Sequence, residues 1–214
     1  MKLVIFDLDG TLLDTVPDLT DSVNYAMQSL GLDTYSVAQV AAMVGSGMTV
    51  TLTRALGAKH LDKLSQAKKL QATYYGAHCN DKTKPFDGII QLLNRLKRDG
   101  VVVCVYSNKD QSFAETTCTA QFGNLVDYVV GTGPDGITKP DATRLLQLTE
   151  RIGADNCVYC GDSDVDVQTA KNAYMPCISV TWGYRNKAQL ETAGATMYAD
   201  NCDELYTWIC KLLG

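Results

Sequence analysis

The sequence predicts an α/β protein, a doubly wound parallel sheet carrying an inserted α-helical cap. Three observations predict it. Five short, β-rich apolar runs recur along the chain, and they are continuous rather than alternating, as strands buried on both faces are. Amphipathic helical stretches lie between them, which is the alternation of a doubly wound sheet. One interval, from Thr15 to about Lys82, breaks that alternation with helices only.

The first run, residues 3–6, ends abruptly at Asp7. Thr15-Val16-Pro17-Asp18 then reads as a helix start, with Thr15 capping and Asp18 in the first turn. Leu19, Val23, Met27 and Leu30 follow at helical spacing until Gly31 stops the run. Residues 37–44, 49–56 and 62–78 continue the helical pattern. The expected division is therefore a core of residues 1–14 and 83–214, with a cap of residues 15–82 above the carboxyl ends of the strands. Ligands bind there in open α/β sheets. Past the cap, Ile89, Ile90, Leu92, Leu93 and Leu96 form an apolar stripe that Gly100 terminates. Residues 101–106 and 128–130 read as the second and third strands. Leu145, Leu146, Leu148 and Ile152 form the next stripe, with Pro140 near its start and Gly153 past its end. Residues 157–160 and 177–181 complete the five strands.

A length of 214 residues suits one main domain with a smaller insert. Net charge is −5, with 19 Lys and Arg against 24 Asp and Glu and no basic run, so broad nucleic-acid binding is not expected. No apolar stretch would span a bilayer, and residues 3–6 are too short for a signal-peptide core, so the expected location is the cytoplasm. The eight cysteines are dispersed, several of them in strand-like runs, as buried reduced thiols are. Cys157 and Cys160 share a strand whose alternation sends their thiols to opposite faces, which argues against a zinc or redox pair. His60 and His78 are too few and too isolated for a histidine metal site and read as surface residues. No exposed apolar stripe stands out, so a monomer is expected.

Asp7, Asp9 and Asp14 crowd into Phe6-Asp7-Leu8-Asp9-Gly10-Thr11-Leu12-Leu13-Asp14. Carboxylates this close repel, and burying them is costly unless something neutralises them. Either a cation lies there or the acids are caps and solvated loop residues. Three further segments fall just past strand ends: Ser107-Asn108-Lys109, Lys139-Pro140, and Gly161-Asp162-Ser163-Asp164-Val165-Asp166. Parallel strands bring all four to one sheet edge. Several carboxylates, a hydroxyl and a lysine make a site for Mg²⁺ and phosphate, because magnesium takes hard oxygen ligands and shares them with substrate phosphate. A carboxylate there can attack phosphorus, a second acid can protonate the leaving group, and Ser107 and Lys139 can hold the phosphoryl oxygens.

These four segments resemble, in order and spacing, the four motifs of the haloacid dehalogenase superfamily. The resemblance covers essentially the whole chain, cap included. Tyr106-Ser107-Asn108-Lys109, Val180-Thr181-Trp182-Gly183-Tyr184-Arg185, Ala193-Gly194-Ala195 and Ala199-Asp200 look like the phosphoglycolate-phosphatase-like branch. The resemblance implies strand order 3-2-1-4-5, with Asp7 as nucleophile and Asp9 as general acid and base. Asp7, the main-chain carbonyl of Asp9 and Asp162 would hold Mg²⁺. Ser107, Asn108 and Lys139 would bind the phosphoryl group, and Thr11 and Asp166 would support the ligands from behind. Gly45-Ser46-Gly47, with Gly47 foremost, together with Arg54 and Lys109, are candidate substrate contacts. Helix linkage and solvated surface positions are the plainer readings of the cap residues. Asp14 is read as a cap or hinge residue, Asp164 as a first-turn residue, and Trp182 and Tyr184 as packing at the last strand. The expected activity is Mg²⁺-dependent hydrolysis of a small soluble phosphomonoester through an aspartyl-phosphate. The rivals are a phosphosugar mutase, an inorganic pyrophosphatase and a non-catalytic phosphate-binding module. Thr11, and the absence of a histidine a few places after it, speak against the mutase.

Overall fold

A computed structural model describes residues 1–214. Its elements, in chain order, are β1 (Lys2–Phe6), β2 (Leu13–Asp14), α1 (Val16–Ser29), α2 (Val37–Met43), α3 (Met48–Leu56), α4 (Leu64–His78) and β3 (Lys84–Pro85). There follow α5 (Ile89–Arg98), β4 (Val102–Asp110), α6 (Gln111–Phe122), β5 (Tyr128–Thr132), α7 (Thr143–Ile152) and β6 (Asn156–Gly161). The chain closes with α8 (Asp164–Asn172), β7 (Cys177–Val180), α9 (Lys187–Ala193), β8 (Tyr198–Ala199) and α10 (Cys202–Leu213).

The main sheet runs β5-β4-β1-β6-β7-β8, and every neighbouring pair is parallel. The five expected strands stand in the expected order, and β8 adds a sixth at the edge. The apolar runs are continuous because each strand feeds two cores. Val4 and Phe6 face a cluster with Ile89, Leu92, Leu93 and Leu96 of α5, Cys118 and Phe122 of α6, and Leu205 and Ile209 of α10. Leu3 and Ile5 face the opposite cluster, with Leu145 and Leu148 of α7 and Ala170 of α8. Each fully buried Leu or Ile of these clusters contributes about 1.5–3 kcal/mol against leaving it in water. Cys160 lies in the first cluster while Cys157 packs on the second, and all eight cysteines are free thiols.

Helices α1 to α4 form a separate bundle with its own core, including Leu19, Val23, Met27, Val40, Leu52 and Tyr75. Two features of its edge escape a reading of local pattern. The helix expected over 62–78 begins at Leu64, because residues Ala58–Lys63 form a 3₁₀ turn after Gly57. Thr15 stands at the start of α1, but its hydroxyl caps nothing. Its N–H instead donates to the Tyr184 hydroxyl at 3.0 Å.

The crossings between bundle and sheet are tied together. β2 and β3 pair antiparallel, Leu13 with Pro85 and Asp14 with Lys84. Asp18, buried in the first turn of α1, accepts hydrogen bonds from the Lys82 N–H at 3.0 Å and the Thr83 N–H at 2.8 Å. Its first-turn position is as expected, but its carboxylate serves the returning linker rather than its own helix. No helix is long and apolar enough to cross a membrane.

Candidate active site

All four acid- and lysine-bearing segments emerge at the carboxyl edge of the sheet. Asp7 follows β1 directly, and its N–H continues the ladder to the Cys160 carbonyl at 2.9 Å. The chain then turns tightly, with the Leu12 and Leu13 N–H groups both returning to the Leu8 carbonyl. Gly10 permits this turn at φ +96°, where a Cβ would lie 2.5 Å from an Asp162 carboxylate oxygen. Only glycine tolerates both demands. Ser107, Asn108 and Lys109 lie within β4, which runs on to Asp110 through an irregular register rather than ending at Tyr106.

Lys139 is the centre of charge. Its Nζ lies 2.7 Å from Asp7 Oδ1 and 2.7 Å from Asp166 Oδ1, and its side chain is 1% exposed. Burial would depress this lysine, but Asp166 and Asp7 hold its pKa above the ordinary value. Asp7 shows the converse. Burial first, then Asp166, push its carboxyl well above the usual range, against the pull of Lys139. Asp162 is pushed up to about 7 by burial and Asp166, although the Tyr184 N–H at 2.7 Å and the Thr11 hydroxyl at 3.1 Å favour its charged form. The site therefore carries more negative charge than one ammonium balances.

Asp7, Asp162 and Asp166 each offer a carboxylate oxygen, all within 4.8 Å of one another, which is an acidic cluster able to hold a metal ion. The donors are all hard oxygens, so the set suits a hard divalent cation. Asp166 is already engaged on both oxygens. Oδ1 accepts from Lys139 and the Tyr159 hydroxyl, and Oδ2 from the Ser163 N–H and hydroxyl. Ser163 and Asp166 thereby form a reciprocal capping box that starts α8. Asp166 takes two bonds on each oxygen, whereas Asp162 takes one on each and Asp7 is engaged at Oδ1, so Asp7 and Asp162 keep lone pairs free for an ion. Gly183 presses on Asp162 from the loop after β7, where a Cβ would stand 2.2 Å from the Asp162 Cβ.

Between sheet and bundle lies a cleft of about 550 Å³, open to solvent. Asp7, Asp9, Ser107 and Lys109 line its floor, and Gly45, Gly47, Met48 and Tyr75 line its roof. Lys109 holds the Asp9 carboxylate at 2.7 and 3.0 Å and lies 5.1 Å from the centre of the Tyr75 ring. Burial opposes its charge, but Asp9 keeps its pKa above the usual lysine value. Gly47 and Lys109 thus stand in the cleft. Arg54 does not. It is exposed and lines a separate groove with Ala41, Asp164 and Arg185, where Nη1 donates to the Met43 carbonyl at 2.6 Å. Asn108 is buried and braces two loops: Nδ2 donates to the Gly45 and Lys139 carbonyls, each at 3.2 Å, and Oδ1 accepts the Lys139 N–H at 2.6 Å. Its side-chain amide is spent on backbone, while the residue itself lines the cleft beside Ser107.

Local pattern did not reveal the work of the loop after β7. Trp182 Nε1 donates to the Thr11 carbonyl at 3.0 Å, and Tyr184 grips Asp162 with its N–H and Thr15 with its hydroxyl. The only advance signal was the recurrence of Trp182-Gly183-Tyr184-Arg185 within the resemblance.

Comparison with known proteins agrees with this geometry. The family model described as haloacid dehalogenase-like hydrolase matches residues 4–180. "Phosphoglycolate phosphatase 1" of Pseudomonas aeruginosa is 31% identical over 212 residues, covering 95% of this chain and 78% of the relative. A phosphoglycolate phosphatase of Xanthomonas campestris pv. campestris is 34% identical over 190 residues, covering 86% and 85%. A crystal structure from Lactobacillus delbrueckii subsp. bulgaricus, assigned provisionally as a phosphoglycolate phosphatase, superposes with a TM-score of 0.91 at 33% identity, covering 97% of this chain and 98% of that one. The chain belongs to the haloacid dehalogenase-like hydrolase family. It is an enzyme, a hydrolase built on that family's α/β core.

Proposed function

We propose that this hydrolase is a Mg²⁺-dependent phosphatase that cleaves a small soluble phosphomonoester, of the phosphoglycolate class, through an aspartyl-phosphate on Asp7. The observation that carries the reading is the placement of Asp7 on Lys139, with Asp162 and Asp166 beside it, under a small cleft that also holds Asp9. Mg²⁺, held by Asp7, the Asp9 main-chain carbonyl and Asp162, would offset the negative charge that the phosphoryl group brings to three carboxylates.

The chain's own groups carry the steps. The Asp7 carboxylate attacks phosphorus as the ester P–O bond breaks, and the departing alkoxide takes a proton from Asp9. A water molecule then gives a proton to Asp9 and attacks the same phosphorus. The Asp7–phosphorus bond breaks and inorganic phosphate leaves. Lys139 neutralises phosphoryl charge throughout, and Asp166, itself fixed by the Tyr159 hydroxyl, keeps its ammonium in place. Ser107, buried at the cleft floor, offers a hydroxyl to the phosphoryl oxygens. Asp9 is held by Lys109 as the cleft stands, so it can reach the leaving group only as that ion pair loosens. An anionic group on the substrate would draw Lys109 away and release it. Closure of the bundle over the cleft would exclude bulk water and select the leaving group.

The test is phosphate release from 2-phosphoglycolate, pyrophosphate, hexose phosphates and nucleoside monophosphates, with Mg²⁺ and with chelator. Mg²⁺-dependent release at a kcat/KM of about 10⁴ M⁻¹s⁻¹ or more from one ester is expected. Asp7→Asn should abolish it without lowering the melting temperature. Undiminished turnover by that variant, with deamidation excluded by mass spectrometry, would remove Asp7 from the mechanism.

A further inference from the structure

Arg185 leaves the sheet side of the molecule and reaches into the cap. Its Nη2 donates to the Val44 carbonyl at 2.7 Å and its Nη1 to the Ala41 carbonyl at 3.4 Å, while its Nε lies 3.5 Å from Asp164. Ala41 belongs to the last turn of α2 and Val44 to the residue that follows it, where helical carbonyls lack partners and a cation is favoured. The Arg185 side chain is 13% exposed, so most of it is withdrawn from water. The segment it holds runs straight into Gly45-Ser46-Gly47, and Val44, Gly45, Gly47 and Met48 line the cleft over Asp7. Asn108 takes the Gly45 carbonyl from the inner side. Arg54 also meets the end of α2, at Met43, but both residues belong to the cap and move with it. The Arg185 bonds, by contrast, cross from core to cap and must break if the cap swings.

We propose that Arg185 is a positioning residue, a core-borne clasp that holds residues 44–47 of the cap over the cleft. It sits two residues from Gly183 and one from Tyr184, both of which fix Asp162. One short loop therefore sets the metal-ligating carboxylate and the roof of the substrate cleft together. The proposal rests on the phosphatase reading for its kinetic consequence, but not for its structural one.

The experiment compares wild type with Arg185→Leu, Arg185→Lys and Arg185→Gln in two readouts. The first is amide hydrogen exchange of residues 43–48 by mass spectrometry, which needs no substrate. Loss of the charged donor should speed exchange there about 10-fold or more in Arg185→Leu, with α5 and α10 unchanged. The second is steady-state kinetics with the panel substrate that the wild type hydrolyses. KM should rise about 10-fold while kcat falls less than about threefold, and Arg185→Lys should recover part of KM. Should Arg185→Leu melt early, Arg185→Gln carries the same comparison. Exchange at 43–48 within about twofold of wild type would overturn the clasp, whatever the enzyme hydrolyses. Faster exchange in a protein that releases phosphate from no ester would support the clasp and remove only the phosphatase reading.

Discussion

Replacing Lys139 with methionine tests the charge arrangement most directly. The ammonium is the one cation within 2.7 Å of both Asp7 and Asp166, and Asp166 is wholly inaccessible to solvent. Methionine fills much of the same volume, so packing changes little, but two buried carboxylates lose their counter-charge. Breaking a buried ion pair in this way costs about 3–5 kcal/mol. Asp7 can relieve part of that by keeping a proton, since burial already pushes its pKa up. The loss should therefore be near ~3 kcal/mol at pH 8 in the absence of Mg²⁺. For a protein of this size that lowers the melting temperature by roughly 6–12 °C. At pH 5 the loss should shrink, because a protonated Asp7 no longer needs the lysine. Adding Asp166→Asn to Lys139→Met removes one orphaned charge and should restore about 1 kcal/mol or more. Urea melts of the three proteins at pH 5 and pH 8, all with chelator, measure each value. A loss below about 1 kcal/mol at pH 8, or no recovery in the double variant, would refute the idea that Lys139 balances these acids.

Metal binding should follow pH in a direction the carboxylates set. Asp162, pushed up to about 7, keeps its proton longer in the folded chain than in the unfolded one, so metal-free stability falls as pH rises from about 4 through 7. A metal ion needs the ionised form, so the rise in melting temperature on adding Mg²⁺ should be larger at pH 8 than at pH 5.5. An equal rise at both would contradict this. Gly183→Ala places a methyl group on the Asp162 side chain, and should cost about 1–3 kcal/mol and weaken Mg²⁺ binding about 10-fold, read by calorimetry. Asp18→Ala strips the acceptor from the Lys82 and Thr83 N–H groups, and should cost about 2 kcal/mol while speeding their hydrogen exchange. Exchange at 82–83 equal to wild type would show that Asp18 does not hold the returning linker.

The strands of the core and the acids at their ends were legible because both are local signals. A run such as Leu3-Val4-Ile5-Phe6 declares burial on two faces, and Asp7 and Asp162 directly follow the strands β1 and β6. Elements without a period were not legible. β2 and β3 have two residues each, one of them a proline, and only their approach in space makes them a pair. β8 is equally short. Where long side chains reach was not legible for a related reason. Arg54 lies on the helix next to the cleft, yet it lines a neighbouring groove instead, whereas Arg185, 131 positions away in sequence, reaches the cap. The Asn108 amide suited a phosphate contact by type, but it is committed to backbone groups of two loops that no local pattern brings near it.

The paired crossings at Leu13–Asp14 and Lys84–Pro85 make the helical bundle a replaceable part. The chain leaves and returns side by side, and the bundle keeps a core of its own, with Phe113 and Tyr184 as the outside residues that pack against it. Grafting at this ribbon would exchange the bundle and leave the Asp7, Ser107, Lys139 and Asp162 segments in their native frame. A lineage on this scaffold can thus alter what it accepts without revisiting how it reacts. The toll falls on a handful of seam residues, Arg185 among them, that must suit each new roof.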